Sequence, residues 1–135
     1  MPELKAFSFR YGSADGSMVW YRLDNEKGIN VGIDLYESQT KEQKELRCEP
    51  EQQTEKALRE ILEQYHAEKW NGFYDKIMAC KCDMDGWVFH VYFKDNTEIH
   101  AMGYAGYPDG FWDMKKALDL FFDEIWKKYH VCGNL

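Results

Sequence analysis

The chain has 135 residues, of which 44% are hydrophobic and 16% aromatic, enough for one domain with a sizeable core and too apolar for a disordered tail. Its net charge of −7 argues against nucleic-acid phosphate binding, which needs clustered Lys and Arg, and suits good solubility or a basic protein partner. With 30% charged residues and no apolar run near the roughly 18 residues of a membrane span, the pattern excludes a transmembrane helix.

The opening Met1-Pro2-Glu3-Leu4-Lys5 lacks the basic-then-apolar pattern of a signal peptide, so a cytoplasmic location is expected. Phe7, Phe9 and Tyr11 alternate with Ser8 and Arg10, which predicts a first strand. Ser13-Ala14-Asp15-Gly16-Ser17 is turn chemistry. Residues 18–23, with Val19, Trp20 and Tyr21, read as a second strand. The chain turns again at 24–28, where Gly28 suits a positive φ. Ile29, Val31, Ile33 and Leu35 then share one face of a third strand, with Asn30, Asp34 and Tyr36 on the other.

Residues 37–47 are polar and charged and read as an exposed loop, with room for a short edge strand around Leu46 and Cys48. Pro50 suits the first turn of a helix, and Glu49 and Glu51 suit its positive end. Ala57, Leu58, Ile61, Leu62 and Tyr65 follow helical spacing, predicting a helix over 50–66 with one buried stripe. Trp70 and Phe73 would pin its exit, with Gly72 turning the chain. In 75–82, Ile77 and Ala79 alternate against Met78, Cys80 and Cys82, and a strand is the preferred reading. Residues 83–86 form a turn. Strands follow over 87–93 and 97–103. A second helix begins near Asp109 or Asp113, with Ala117, Leu118, Phe121, Phe122, Ile125 and Tyr129 on its buried face. Lys127, Lys128 and His130 sit where the negative end of the dipole favours cations.

The order is thus β-β-β-α-(β)-β-β-α, an α+β single domain over residues 1–135. It predicts an antiparallel sheet of five or six strands with both helices packed on one face.

The hairpin over 87–103 can be read further. Its core face holds Trp87, Phe89, Val91 and Phe93, and the returning strand should match them with Thr97, Ile99 and Ala101. A two-residue loop would put these sets on opposite faces. A three-residue loop, Lys94-Asp95-Asn96, puts them together, with Asn96 in the left-handed position. His90 then lies opposite His100, and Tyr92 opposite Glu98. The outer face carries His90, Tyr92, Glu98, His100, Met102 and Tyr104, and His90, Tyr92, Glu98, His100 and Tyr104 are the candidate ligand-binding set. Paired imidazoles could bind a metal with Glu98, hold an anion, or act as acid and base. The plainer reading is a polar and aromatic sheet face open to solvent or to a partner.

Other chemistry is weakly signalled. Cys48, Cys80, Cys82 and Cys132 form no C-x-x-C pair and read as free structural thiols. There is no G-x-S-x-G elbow, no P-loop, no H-E-x-x-H, and Gly103, Gly106 and Gly110 are wrongly spaced for G-x-G-x-x-G. Asp83 and Asp85 look like turn residues. We assign no catalytic residue, no metal and no cofactor. The aromatic and glycine-rich run from Tyr104 to Trp112 suits stacking on a ligand. A core plug, with Phe111 and Trp112 docking the second helix, is preferred because the helix starts right behind it.

The order of motifs resembles that of an uncharacterised family of small bacterial proteins. The matching residues are Trp70, Gly72 and Phe73 (W-x-G-F), Asp85, Gly86 and Trp87 (D-G-W), the K-D-N turn, and Gly103, Tyr107, Pro108 and Phe111 (G-x-x-x-Y-P-x-x-F). The F-x-F-x-Y-G opening at 7–12 fits too. Trp87 follows Gly86 directly and Gly106 stands where a polar residue is more usual, so the match departs from the family pattern there. The resemblance implies a shared α+β fold and brings no activity with it.

Three function classes follow. The preferred one is a non-enzymatic protein-interaction module, analogous in class to toxin-neutralising immunity proteins. The alternative is a small-molecule or metal-binding domain using the outer face of the hairpin. An enzyme built on a histidine with Glu98 or on a cysteine comes last.

Overall fold

Short turns and strict alternation force neighbouring strands to pair antiparallel, and the sheet grows outward from the first strand on both sides. The computed structural model of the chain describes residues 1–74 and 86–133. Its elements are β1 (Leu4–Gly12), β2 (Met18–Asp24), β3 (Asn30–Glu37), β4 (Glu42–Cys48), α1 (Gln53–Gln64), a 3-10 turn (Ala67–Trp70), β5 (Trp87–Phe93), β6 (Glu98–Gly103) and α2 (Phe111–Gly133). The six strands form one antiparallel sheet in the order β4-β3-β2-β1-β5-β6, an α+β arrangement. No described helix is long and apolar enough to cross a membrane.

β4 is a full strand of seven residues, longer than the short edge strand around Leu46 and Cys48 for which the polar sequence leaves room. Its sequence hides this, because only Leu46 is buried and the remaining positions are charged, polar or half-buried. That is how an edge strand avoids recruiting a further strand. Cys48 ends β4 half-buried, where the short edge strand allowed around Leu46 and Cys48 falls, and burial pushes its thiol pKa up. The strand expected over 75–82, and Cys80 and Cys82 with it, lies outside the described residues.

Register places the core on one face. Phe7 pairs with Leu23 and Val91, and Phe9 with Tyr21 and Phe89. The same rows continue to Val31 and Ile33 on one side and to Ile99 and Ala101 on the other. Against them α2 sets Met114, Leu118, Phe122 and Ile125, all buried at helical spacing. Phe122 stacks on Tyr21 with ring centroids 4.4 Å apart and on Phe7 at 6.0 Å.

α1 is shorter than the predicted 50–66. His66 takes the left-handed conformation, φ 56°, and the chain re-enters a single 3-10 turn that delivers Trp70. Leu58 and Leu62 are fully buried in the same core cluster, while Ala57, expected on the stripe, is exposed. Glu55 takes a buried place instead. It accepts the Leu4 backbone N–H at 2.9 Å and pairs with Arg59 Nε at 2.9 Å, which satisfies the charge that burial exposes to low dielectric.

The motif aromatics form the fastening between sheet and α2. Phe111 stacks on Trp70 at 5.6 Å and meets Trp87 at 4.9 Å and Tyr107 at 4.7 Å. Both indoles are satisfied, Trp87 Nε1 donating to the Gly106 carbonyl at 2.9 Å and Trp70 Nε1 to that of Asp109 at 3.3 Å. Trp112 flanks the cluster from outside: it is 52% exposed, its ring 4.7 Å from Tyr107 and edge-on to Tyr11 at 5.9 Å, because the helix starts at Phe111 and turns the next residue outward.

Candidate functional site on the open sheet face

Successive side chains of a strand point to opposite faces, so the core assignment also defines the outer one. Through the cross-strand registers, Arg47, Gly32, Arg22, Ser8, His90 and His100 form one row across all six strands. At about 4.8 Å between strands the row is roughly 24 Å long. The next row runs Glu45, Asp34, Trp20, Arg10, Val88, Met102. In these two rows only Gly32 is buried.

The hairpin part has the predicted register. His90 lies opposite His100 and Tyr92 opposite Glu98. The three-residue loop is present, with Asn96 at φ 71°. Asp95 tightens it by accepting from the Thr97 amide at 2.9 Å and from the Thr97 hydroxyl at 2.5 Å, hydrogen bonds that hold its carboxyl below the usual carboxylate range. Thr97 itself, expected on the core face, is exposed in the turn.

Four of the five candidate residues come together. His90 Nε2 lies 3.0 Å from Glu98 Oε1. The His90 ring is 4.2 Å from that of Tyr92 and 4.6 Å from that of His100. Tyr104 stands apart, past the end of β6, where it lines a groove with Arg10, Met18 and Met102. The backbone of His100 is held from the far side. Its N–H donates to Asn71 Oδ1 at 3.0 Å, and its carbonyl accepts the Gly72 N–H at 2.9 Å. Met102 N–H reaches the Phe73 carbonyl at 3.1 Å, so residues 71–73 cover the outer edge of β6.

Among the described residues, no three His, Cys, Asp or Glu side chains gather closely enough to hold a metal ion. The donor set of His90, His100 and Glu98 therefore stops short of the four ligands a structural zinc requires. No family model matches the chain, and no curated protein matches it.

The larger feature of this face was missed by sequence reasoning. Trp20 lies beneath two guanidiniums, Arg22 Cζ at 4.0 Å and Arg10 Cζ at 5.8 Å from the indole centroid. Its Nε1 donates to Ser8 Oγ at 3.0 Å, which fixes the ring from the adjacent strand. Arg22 Nη2 donates to Asp34, and Arg47 Nη2 donates to the same carboxylate at 3.2 Å. Asp34 is mostly buried and shared, so its removal would strand two charged donors at once. Gly32 is what lets Arg22 lie flat, since a Cβ there would stand 3.1 Å from Arg22 Nη2. The signal was available in the strand phase: Arg10, Trp20, Arg22 and Asp34 all fall opposite the core positions once the two short turns are in register.

Proposed function

We propose that the chain is a non-enzymatic protein-interaction module that meets its partner with the open face of its sheet. The observation that carries this reading is the content of that face. An uncovered face needs only solvating side chains, yet this one holds Trp20, Tyr92, His90 and His100 among three arginines. Trp, Tyr and Arg are the side chains that supply most binding energy at interfaces. The toxin-neutralising proteins remain an analogy of class, and a cytoplasmic location belongs to the same proposal. Membership of the small bacterial family the chain resembles belongs to the same proposal and rests on the motif residues, among them Trp70, Trp87, Tyr107 and Phe111.

A pull-down from the source cell's lysate tests it. The chain should retain a specific protein, and a Trp20→Ala, Tyr92→Ala double variant should lose it while staying folded. Retention that survives the double variant and vanishes on charge reversal of the exposed helix residues would move the interface elsewhere.

The contiguity of His90, His100 and Glu98 supports a second reading, a small-molecule or metal-binding face. Stoichiometric metal in purified protein, lost in His100→Ala, would favour it. A melting temperature unmoved by a metal and ligand panel would remove it.

A further inference from the structure

We infer that the open sheet face pairs with the same face of a second copy of this chain, forming a two-fold dimer centred on Trp20, Val88 and Met102. This rests on the interaction reading above and names the partner of that face.

The electrostatics of the face suit a copy of itself. Arg10, Arg22 and Arg47 stand on it among Asp24, Asp34, Glu45 and Glu98, so its charges nearly cancel. Almost all of the net charge of −7 is therefore carried elsewhere. Two copies of an acidic chain repel each other least where the charge cancels. Much of the charge on the face is also matched before contact. Asp34 accepts from Arg22 and Arg47, and Glu98 meets His90 at 3.0 Å. Burying charges that are already paired leaves no lone charge behind. A partner of a single sign, acidic or basic, would find no opposing charge to meet.

The area is sufficient. Strands β2, β4 and β5 each have 7 residues, which makes the face about 24 Å long at about 3.4 Å per residue. With the roughly 24 Å across its six strands, the flat footprint is roughly 600 Å² per copy and about 1,200 Å² for a pair. That meets the lower bound of a specific interface, and the relief of the side chains adds to it. Arg10, Met18, Val88, Met102 and Tyr104 line a groove of about 460 Å³ on this face, room for side chains of the partner to enter.

The apolar surface lies in one half of the face. One cross-strand row holds Met18 and Tyr36, and the next holds Trp20, Val88 and Met102 beside Arg10. The row from Arg47 to His100 is polar. A two-fold axis running along the strands keeps the apolar half against itself, as an isologous contact requires. Sheets packed in this way lie about 10 Å apart with their strands within about 30° of each other.

Sedimentation velocity of the full chain over about 1–200 µM tests the inference. The sedimentation coefficient should rise to that of a dimer, with a midpoint in the micromolar range expected of so small an interface. Val88→Lys sets a charge in the middle of the face and should weaken association about tenfold or more. Leu120→Lys, at a position of α2 that is 59% exposed, should leave association unchanged. Dilution of the 15N-labelled wild-type chain should shift the amides of Ser8, Trp20, Val88 and His90 and spare those of α1, a readout that does not depend on how Val88→Lys folds. A chain that stays monomeric throughout overturns the inference. The interaction module then stands if the lysate pull-down still retains a different protein through Trp20 and Tyr92, and falls with the inference if it does not. A dimer that Leu120→Lys breaks and Val88→Lys spares, or dilution shifts confined to the helices, overturns the inference by moving the contact off the sheet.

Discussion

The guanidinium of Arg22 lies 4.0 Å above the indole of Trp20, one residue pair of β2 that organises the outer face of the sheet. A cation over an indole is worth about 0.5–2 kcal/mol, depending on how far it is desolvated. Here the geometry depends on a third residue, because the neighbouring strand position at Gly32 has no side chain.

Gly32→Ala should therefore dislodge Arg22 without unfolding the chain. The new Cβ would meet the end of a flexible side chain at 3.1 Å, and alanine also lowers the entropy of the unfolded state. We expect a stability change under about 1 kcal/mol in urea unfolding. The Trp20 indole 1H–15N resonance should move clearly. An unmoved resonance would show that Gly32 has no part in seating the guanidinium.

The two arginines on Asp34 should behave unequally when their carboxylate or they themselves are removed. Arg47 is 54% exposed on its side chain and its loss in Arg47→Gln should cost less than about 1 kcal/mol. Asp34→Ala should cost about 1–3 kcal/mol, since it strands two charged donors beside a mostly buried position. Chemical denaturation of both variants checks the order; equal losses would contradict the shared-carboxylate account.

Phe111 and Trp112 are neighbours in sequence and opposites in energetics. Phe111 is 1% exposed in the aromatic fastening, so Phe111→Ala should cost about 3–5 kcal/mol. Trp112→Ala should cost under about 1 kcal/mol, because the ring is more than half exposed. Thermal unfolding of the two variants would expose an error if Trp112→Ala were the more damaging.

Tyr21 makes stability fall in alkali. Burial raises its phenol pKa, and the nearby charge and hydrogen bond of Asp119, 2.6 Å from the hydroxyl, raise it further. Below about pH 10 the phenol is neutral in both states. Above that value the unfolded chain ionises while the folded chain does not, so the unfolded state binds fewer protons and stability declines as pH rises. The slope from this one group approaches about 1.4 kcal/mol per pH unit. Tyr21→Phe should flatten the profile between pH 10 and 11 by roughly that amount. An unchanged slope in denaturation series at those pH values would remove Tyr21 as its source.

Local pattern alone determined the hairpin from Trp87 to Gly103, including its three-residue loop and the pairing of His90 with His100. Alternation has a period of two, so only an odd loop keeps both apolar sets on one face, and the outer set follows without further information. The apolar spacing of α2 was legible for the same reason, since Leu118, Phe122 and Ile125 share one helical stripe. Tertiary structure decided the rest. β4 buries a single large apolar residue, Leu46, so its charged sequence has no readable period until β3 pairs with it. The different fates of Phe111 and Trp112 depend on where the first turn of α2 lands against Tyr11 and Trp70. The arginine–tryptophan face depends on four strands at once. Arg10, Trp20, Arg22, Gly32, Asp34 and Arg47 become neighbours only through three registers set by three separate turns, and one residue of slip in any of them would turn a strand's side chains to the other face.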